Sequence, residues 1–162
     1  MDSDPFITVV SGLPRSGTSM MMRMLEAGGM PVLIDHVRQA DEDNPRGYYE
    51  FEAVKQLSND ARWLAIAEGK AVKIISELVL DLNTDAHRFR VIFMKRDLQE
   101  VIASQAEMLE RRGAAPDSAD DGALVRVFEK HLIEVDKWLG QEPNVDQLAL
   151  HFSDVHNDPA SA

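Results

Sequence analysis

The chain has no cysteine. That excludes disulfides and thiolate metal sites, so the fold must rest on an apolar core. Aromatic residues are few, 6% of 162 residues, and both tryptophans, Trp63 and Trp138, fall in predicted helices as buried anchors rather than stacking platforms. Cations are in deficit: 17 Lys and Arg stand against 28 Asp and Glu, a net charge of −11. This balance excludes a broad nucleic-acid or anionic-membrane surface. No apolar run approaches the ~20 residues that cross a bilayer. The first residues, Met1-Asp2-Ser3-Asp4, are acidic and lack the basic-then-apolar pattern of a leader. The expected location is therefore cytoplasmic. Five histidines form no close-spaced pair, so no metal site is expected. There is no internal repeat and no low-complexity tract.

What remains is ordinary for a globular chain: 44% hydrophobic and 28% charged residues, of a length that suggests one domain, residues 1–162. The stretch from Phe6 to Leu25 organises it. Phe6–Val10 has the length and β-branched content of a buried strand. A loop bounded by Gly12 and Gly17 follows, and then Met20, Met21, Met24 and Leu25 repeat at helical spacing. Strand, glycine-bounded loop and helix are the context of a phosphate-binding loop. Its amides and the helix dipole converge on one spot and favour an anion there.

The loop approaches the nucleoside-triphosphatase pattern G-x-x-x-x-G-K-[ST] without meeting it. Thr18 stands in the lysine position, and a cation comes earlier, as Arg15. The plain alternative is a tight turn with no ligand. Against it, Arg15, Ser16, Thr18 and Ser19 crowd the turn with donors.

Further along, Thr18–Ala27 reads as a helix stopped by Gly28-Gly29, and Pro31–Ile34 as a second strand. Asp35–Gly47 is a long polar loop, of the kind that is usually functional or disordered. Glu50–Glu68 reads as one helix, Ala71–Ser76 as a third strand carrying Lys73, and Leu78–Leu82 as a helical turn. Arg90–Met94 is a fourth strand. Asp97 and Glu100 then form a capping box for a helix. A long helix ends near Gly140, Gln147–Phe152 is a fifth strand, and the chain runs out from Asp154. Strands alternating with amphipathic helices predict a three-layer α/β/α fold with a parallel sheet of about five strands, of the P-loop type. Ligands on such sheets bind beyond the carboxyl ends of the strands, where Arg15, Ser76 and Arg96 fall.

Two segments resemble the sulfotransferase family. G-L-P-R-S-G-T-S after the first strand is similar to its 5′-phosphosulfate loop, and R-D-L-Q-E-V-I-A-S-Q, residues 96–105, is similar to its 3′-phosphate segment. Two motifs in the right order, each after a predicted strand, are more specific than either alone. The likeness spans roughly residues 6–155. It implies 3′-phosphoadenosine 5′-phosphosulfate (PAPS) as donor, adenosine 3′,5′-bisphosphate (PAP) as product, and a hydroxyl or amine acceptor. It implies a donor site made by Pro14, Arg15, Ser16, Gly17, Thr18 and Ser19 with Arg96 and Ser104. In that family a helix and a basic closing segment follow the last strand. Here neither is evident after Asn157-Asp158-Pro159, and a core-only domain is expected.

Sulfuryl transfer needs an in-line donor, charge stabilisation at the leaving phosphate oxygen, and a base for the acceptor. Loop amides and Arg15 suit the first two tasks, since a guanidinium meets two oxygens at once. By the resemblance, Lys73 touches the transferring group; alternatively it only pairs with a carboxylate. Many cytosolic members place a histidine base two residues after that lysine, but Ile75 stands here. Glu50 is the leading candidate base, with Asp35, His36 and Glu77 behind it. The plain alternatives are a helix-start Glu50, favoured by the dipole, and an Arg96 paired with a nearby acid. Asp35–Gly47 and Gly113–Gly122 are expected to shape the acceptor pocket. A small-molecule kinase and a non-catalytic nucleotide-binding module stay open as rivals. Oligomeric state also stays open, a homodimer included.

Overall fold

A computed structural model describes residues 5–114 and 121–160. Four parallel strands form one sheet in the order β2-β1-β3-β4: β1 is Phe6–Gly12, β2 Ala71–Lys73, β3 Arg88–Lys95 and β4 Val145–His151. Side-chain alternation explains why both faces of the sheet are covered. Ile7 and Val9 of β1, with Phe89, Val91 and Phe93 of β3, point into one core. Val10 and Met94 point into the other. The first core is filled from α2 (Leu64–Ala67), α3 (Ser76–Val79) and α5 (Asp121–Gln141). The second is filled by Met21 and Met22 of α1 (Thr18–Ala27) and Val155 of α6 (Phe152–Asn157). The fold class is thus the expected one, α/β with a parallel sheet between helices.

Among the described residues the sheet has four strands against the expected five. Pro31–Ile34 reaches the sheet only through an isolated bridge between Val32 and Ala71. Ala71 N–H donates to Pro31 O at 2.8 Å and Leu33 N–H to Ala71 O at 2.8 Å. Asp35 N–H then turns to Glu50 O, so the segment leaves β2 after one residue pair. β2 itself ends at Lys73 rather than Ser76, because Ser76 already opens α3.

The expected Glu50–Glu68 helix is broken. A 3₁₀ turn at Glu52–Gln56 and the short α2 share its apolar face. Between them lies Ser58-Asn59-Asp60. Asn59 and Asp60 both donate to Gln56 O, and Asp60 Oδ1 accepts from Arg62 N–H. Short polar side chains offer the backbone a local turn in place of a helix.

α4 (Leu98–Arg111) begins as expected at Asp97, whose carboxylate accepts from Gln99 and Glu100 N–H. Only this half of the capping box forms, since Glu100 turns to Arg96 instead. The chain does not run out at Asp154: residues 152–157 form α6, with Val155 buried. Of the Gly113–Gly122 segment, expected to shape the acceptor pocket, residues 115–120 lie outside those described.

Candidate functional site

The loop after β1 is shaped by its glycines. Gly17 adopts φ +99° as the residue before α1, and a Cβ there would lie 2.6 Å from the Phe152 ring. A Cβ on Gly12 would meet Met94 O at 2.6 Å. Arg15 also has positive φ, +69°, which a non-glycine residue adopts rarely and at some strain. α1 has no side-chain cap, so the N–H groups of its first turn remain to be met. They open into a cleft of about 350 Å³.

Pro14, Arg15, Gly17, Thr18 and Ser19 line that cleft, together with Lys73, Glu50 and Arg96. Arg15 Nε donates to Ser104 Oγ at 2.9 Å, and Arg96 Nη1 donates to Arg15 O at 2.9 Å. The two segments singled out by sequence, far apart in the chain, are therefore in direct contact. Arg96 also pairs with Glu100 at 2.9 Å and lies 4.3 Å over the Phe152 ring. Pairing with a neighbouring acid, the plain expectation for Arg96, is thus present beside the contact with the loop.

Ser16 is the exception in the loop. It is 1% exposed, its N–H turns back to Leu13 O, and its hydroxyl is buried without a hydrogen-bond partner. It does not line the cleft. Ser76 likewise faces away, with its hydroxyl 2.9 Å from His131 Nε2 on α5.

Lys73 forms the floor. It is 9% exposed, and its ammonium donates to Tyr48 O and, at 3.3 Å, to Ser19 Oγ. Burial pushes its pKa down to about 8, against the pull of Glu50 at 3.6 Å. Glu50 Oε1 is shared with Arg38 Nη1 at 2.8 Å, and the Arg38 guanidinium lies 3.4 Å over the Tyr48 ring. The pairing of Lys73 with a carboxylate is therefore real, and that carboxylate is the candidate base.

The remaining candidate bases are placed elsewhere. Asp35 accepts from Val37 and Glu52 N–H as a turn cap. Glu77 is exposed on α3. His36 lines a second cavity of about 400 Å³, beside the first.

Sequence reasoning missed Arg38, Tyr48, Asp43, Arg112 and Phe152, all of which line the cleft. Tyr48 Oη donates to Asp41 Oδ1 at 2.6 Å, and Asp41 and Asp43 pair with Arg112 at 3.6 and 3.4 Å. Arg111 pairs with Asp43 at 2.8 Å. These bonds clasp the 35–47 loop to the end of α4. The loop's length marked it as functional; its partners could be found only through tertiary contact. In this arrangement several cations and a helix N-terminus face one cavity, which suits an elongated anion.

No protein-family model matches the chain, and no curated protein does. Solved structures resemble it at low identity. A retinol dehydratase solved with androsterone and the inactive cofactor PAP aligns over 94% of this chain and 55% of its own, at 14% identity and a TM-score of 0.45. A retinol dehydratase solved with retinol and PAP aligns over 98% and 58%, at 15% identity and a TM-score of 0.46. An uncharacterized protein from Eubacterium ventriosum aligns over 96% of both chains, at 11% identity and a TM-score of 0.37. The chain spans little more than half the length of the two dehydratases. At these identities and TM-scores the likeness supports no argument about function.

Proposed function

We propose that the chain carries the donor site of a sulfotransferase and moves a sulfuryl group from PAPS to a hydroxyl or amine. The observation that carries this reading is the contact of Arg15 with Ser104 and of Arg96 with Arg15 O at the uncapped start of α1. Arg15 of the first resembling segment and Arg96 of the second line one cleft, and Ser104 is joined to it through Arg15, which supports the reading.

The donor supplies an activated sulfuryl group. Amides of Gly17, Thr18 and Ser19, with the Arg15 guanidinium, would hold its 5′ end, and Arg96 with Ser104 its 3′-phosphate. Pro14 fixes the entry to the loop. Ser16 contributes packing beneath Gly12, where its buried hydroxyl lies. Lys73 would neutralise charge developing on the leaving phosphate oxygen. Its position between Ser19 and Glu50 supports that role. The acceptor O–S bond forms as the S–O bond to the phosphate breaks, and the acceptor proton passes to the Glu50 carboxylate. Glu50 Oε1 is held by Arg38 and Lys73, which fixes the carboxylate's direction at the rim of the cleft.

Thermal stability in the presence of PAP, against ATP with magnesium, tests the reading. PAP at about 100 times its dissociation constant should stabilise the fold by ~2.7 kcal/mol. A shift with ATP and magnesium alone would overturn the donor assignment and favour a kinase. Binding of PAP with no turnover of PAPS on a broad acceptor panel would favour the non-catalytic module.

A further inference from the structure

The second cavity, about 400 Å³, shares three wall residues with the first: Arg38, Tyr48 and Glu50. Glu50 is the only carboxylate that lines both among the described residues. A molecule in the second cavity would therefore meet the candidate base in a space that neither Lys73 nor the glycine-bounded loop lines.

The charges of this cavity are unevenly matched. Its two carboxylates are engaged: Glu26 Oε2 accepts from Tyr49 Oη at 2.5 Å, and Glu50 is shared by Arg38 and Lys73. Arg46 lines the cavity with no ion pair or hydrogen bond among the described residues. In a chain of net charge −11, Arg46 is exposed at this cavity with its guanidinium unclaimed by an acid among the described residues. The backbone around it is strained, with φ +58° at His36 and +54° at Tyr49. Such conformations persist only where the surroundings enforce them. Tyr49 and Ile34 give the cavity apolar surface as well.

We propose that this cavity binds the acceptor, and that the acceptor is a small hydroxylated molecule bearing an anionic group. Arg46 takes the anion, and the hydroxyl is presented at Glu50. This rests on the sulfotransferase reading for the chemistry at Glu50, but the anion preference of the cavity stands apart from it. A guanidinium with its fork free selects a carboxylate or phosphate over a neutral group of the same shape.

Two probes of matched shape test it: 4-hydroxybenzoate and its neutral counterpart 4-hydroxybenzamide. Binding is read by two-dimensional amide NMR on the full chain, first without and then with PAP. The expected result is movement of the Ile34, Gly47 and Tyr49 amides, with the carboxylate bound at least ~10-fold more tightly than the amide. Arg46→Ala should reduce the carboxylate's affinity to that of the amide and leave PAP affinity unchanged. Arg46→Lys should recover part of the preference, which a merely structural role would not require. Equal affinity for the two probes, no effect of Arg46→Ala, or silent cavity amides with both would each overturn the proposal. The Gly17–Ser19 amides report PAP separately, so their silence would remove the donor reading while the probes still decide the cavity.

Discussion

On one side of the cleft, Arg15 and Arg96 line the wall from the loop after β1 and the end of β3, and Ser104 of α4 meets that wall through its hydrogen bond with Arg15. On the other, Arg38, Tyr48 and Glu50 belong to residues 35–50, whose only β feature is a bridge between Asp41 and Asn44. The first wall is positioned by backbone hydrogen bonds of regular elements and keeps its polar contacts mostly among its own members. The second is positioned by side chains: Tyr48 on Asp41, Arg112 on Asp41 and Asp43, and Arg38 on Tyr48 and Glu50. Rigid elements favour precise placement of a donor. A wall held by side-chain pairs can be retuned by single substitutions, which suits the side that selects an acceptor.

Glu50→Gln should break the comparison most sharply. We expect turnover to fall at least ~100-fold, the usual scale for a lost general base, with PAP binding retained. The carboxylate also offsets the burial of Lys73. Its removal should therefore push the Lys73 pKa below its present value of about 8, which titration by NMR would read. Unchanged turnover would remove Glu50 from the mechanism and leave the second wall with a structural role.

Lys73→Met separates stability from function at the floor between the walls. The native-state pKa of Lys73 is lowered from 10.5 to about 8. The unfolded chain thus binds the proton more strongly, and the charged form opposes folding. The deficit is fully present below pH 8 and is relieved as pH rises toward 10.5, where both states are neutral. A shift of this size corresponds to a few kcal/mol, on the order of 3. Tyr48 O keeps the Ser19 hydroxyl as a donor after the change. The variant should be more stable than wild type at pH 7, with the gain shrinking above pH 8, and should turn over slowly. Denaturant midpoints at pH 7 and pH 10 check this.

The first wall was legible in the sequence because its parts are local. Gly12, Arg15 and Gly17 sit at fixed offsets around one turn, and Asp97 caps the helix that carries Ser104. The two faces of the sheet were legible for the same reason, from alternation along β1 and β3. Pro31–Ile34 has the apolar run of a strand, but whether such a run pairs depends on β2, which is only three residues long. Glu50–Glu68 keeps the apolar spacing of one helix although it is broken, because spacing of 3 and 4 survives a turn at Ser58-Asn59-Asp60. Arg38, Asp43 and Arg112 were invisible, since an arginine or aspartate in a polar loop looks alike whether solvated or clasped.

Arg96→Ala probes the first wall alone. If Arg96 recognises a 3′-phosphate, PAP should bind more tightly than AMP, and the substitution should abolish that preference with a loss of ~10- to 100-fold, the scale of hydrogen bonds to a charged group. Glu100, freed of its partner, is exposed and should add little to the change. Calorimetric titration with both nucleotides measures it. Equal loss for PAP and AMP would place Arg96 at the 5′ end or in the scaffold.

The smallest expected effect falls on the clasp. Asp43 has a side chain only 6% exposed between Arg111 and Arg112. Both arginines are partly exposed, which screens the pairs. Asp43→Asn should lower stability by about 1 kcal/mol, and the difference from wild type should narrow in high salt. The same change removes a negative charge from the lining of the cleft and leaves Arg112 less engaged. PAP should then bind a few-fold more tightly even as the protein becomes less stable. Opposite signs for stability and affinity would mean that the loop is fastened by acids at the expense of the anion it faces. If both fall together, the clasp instead shapes the site, and the division between a backbone-built wall and a side-chain-built wall would have to be redrawn.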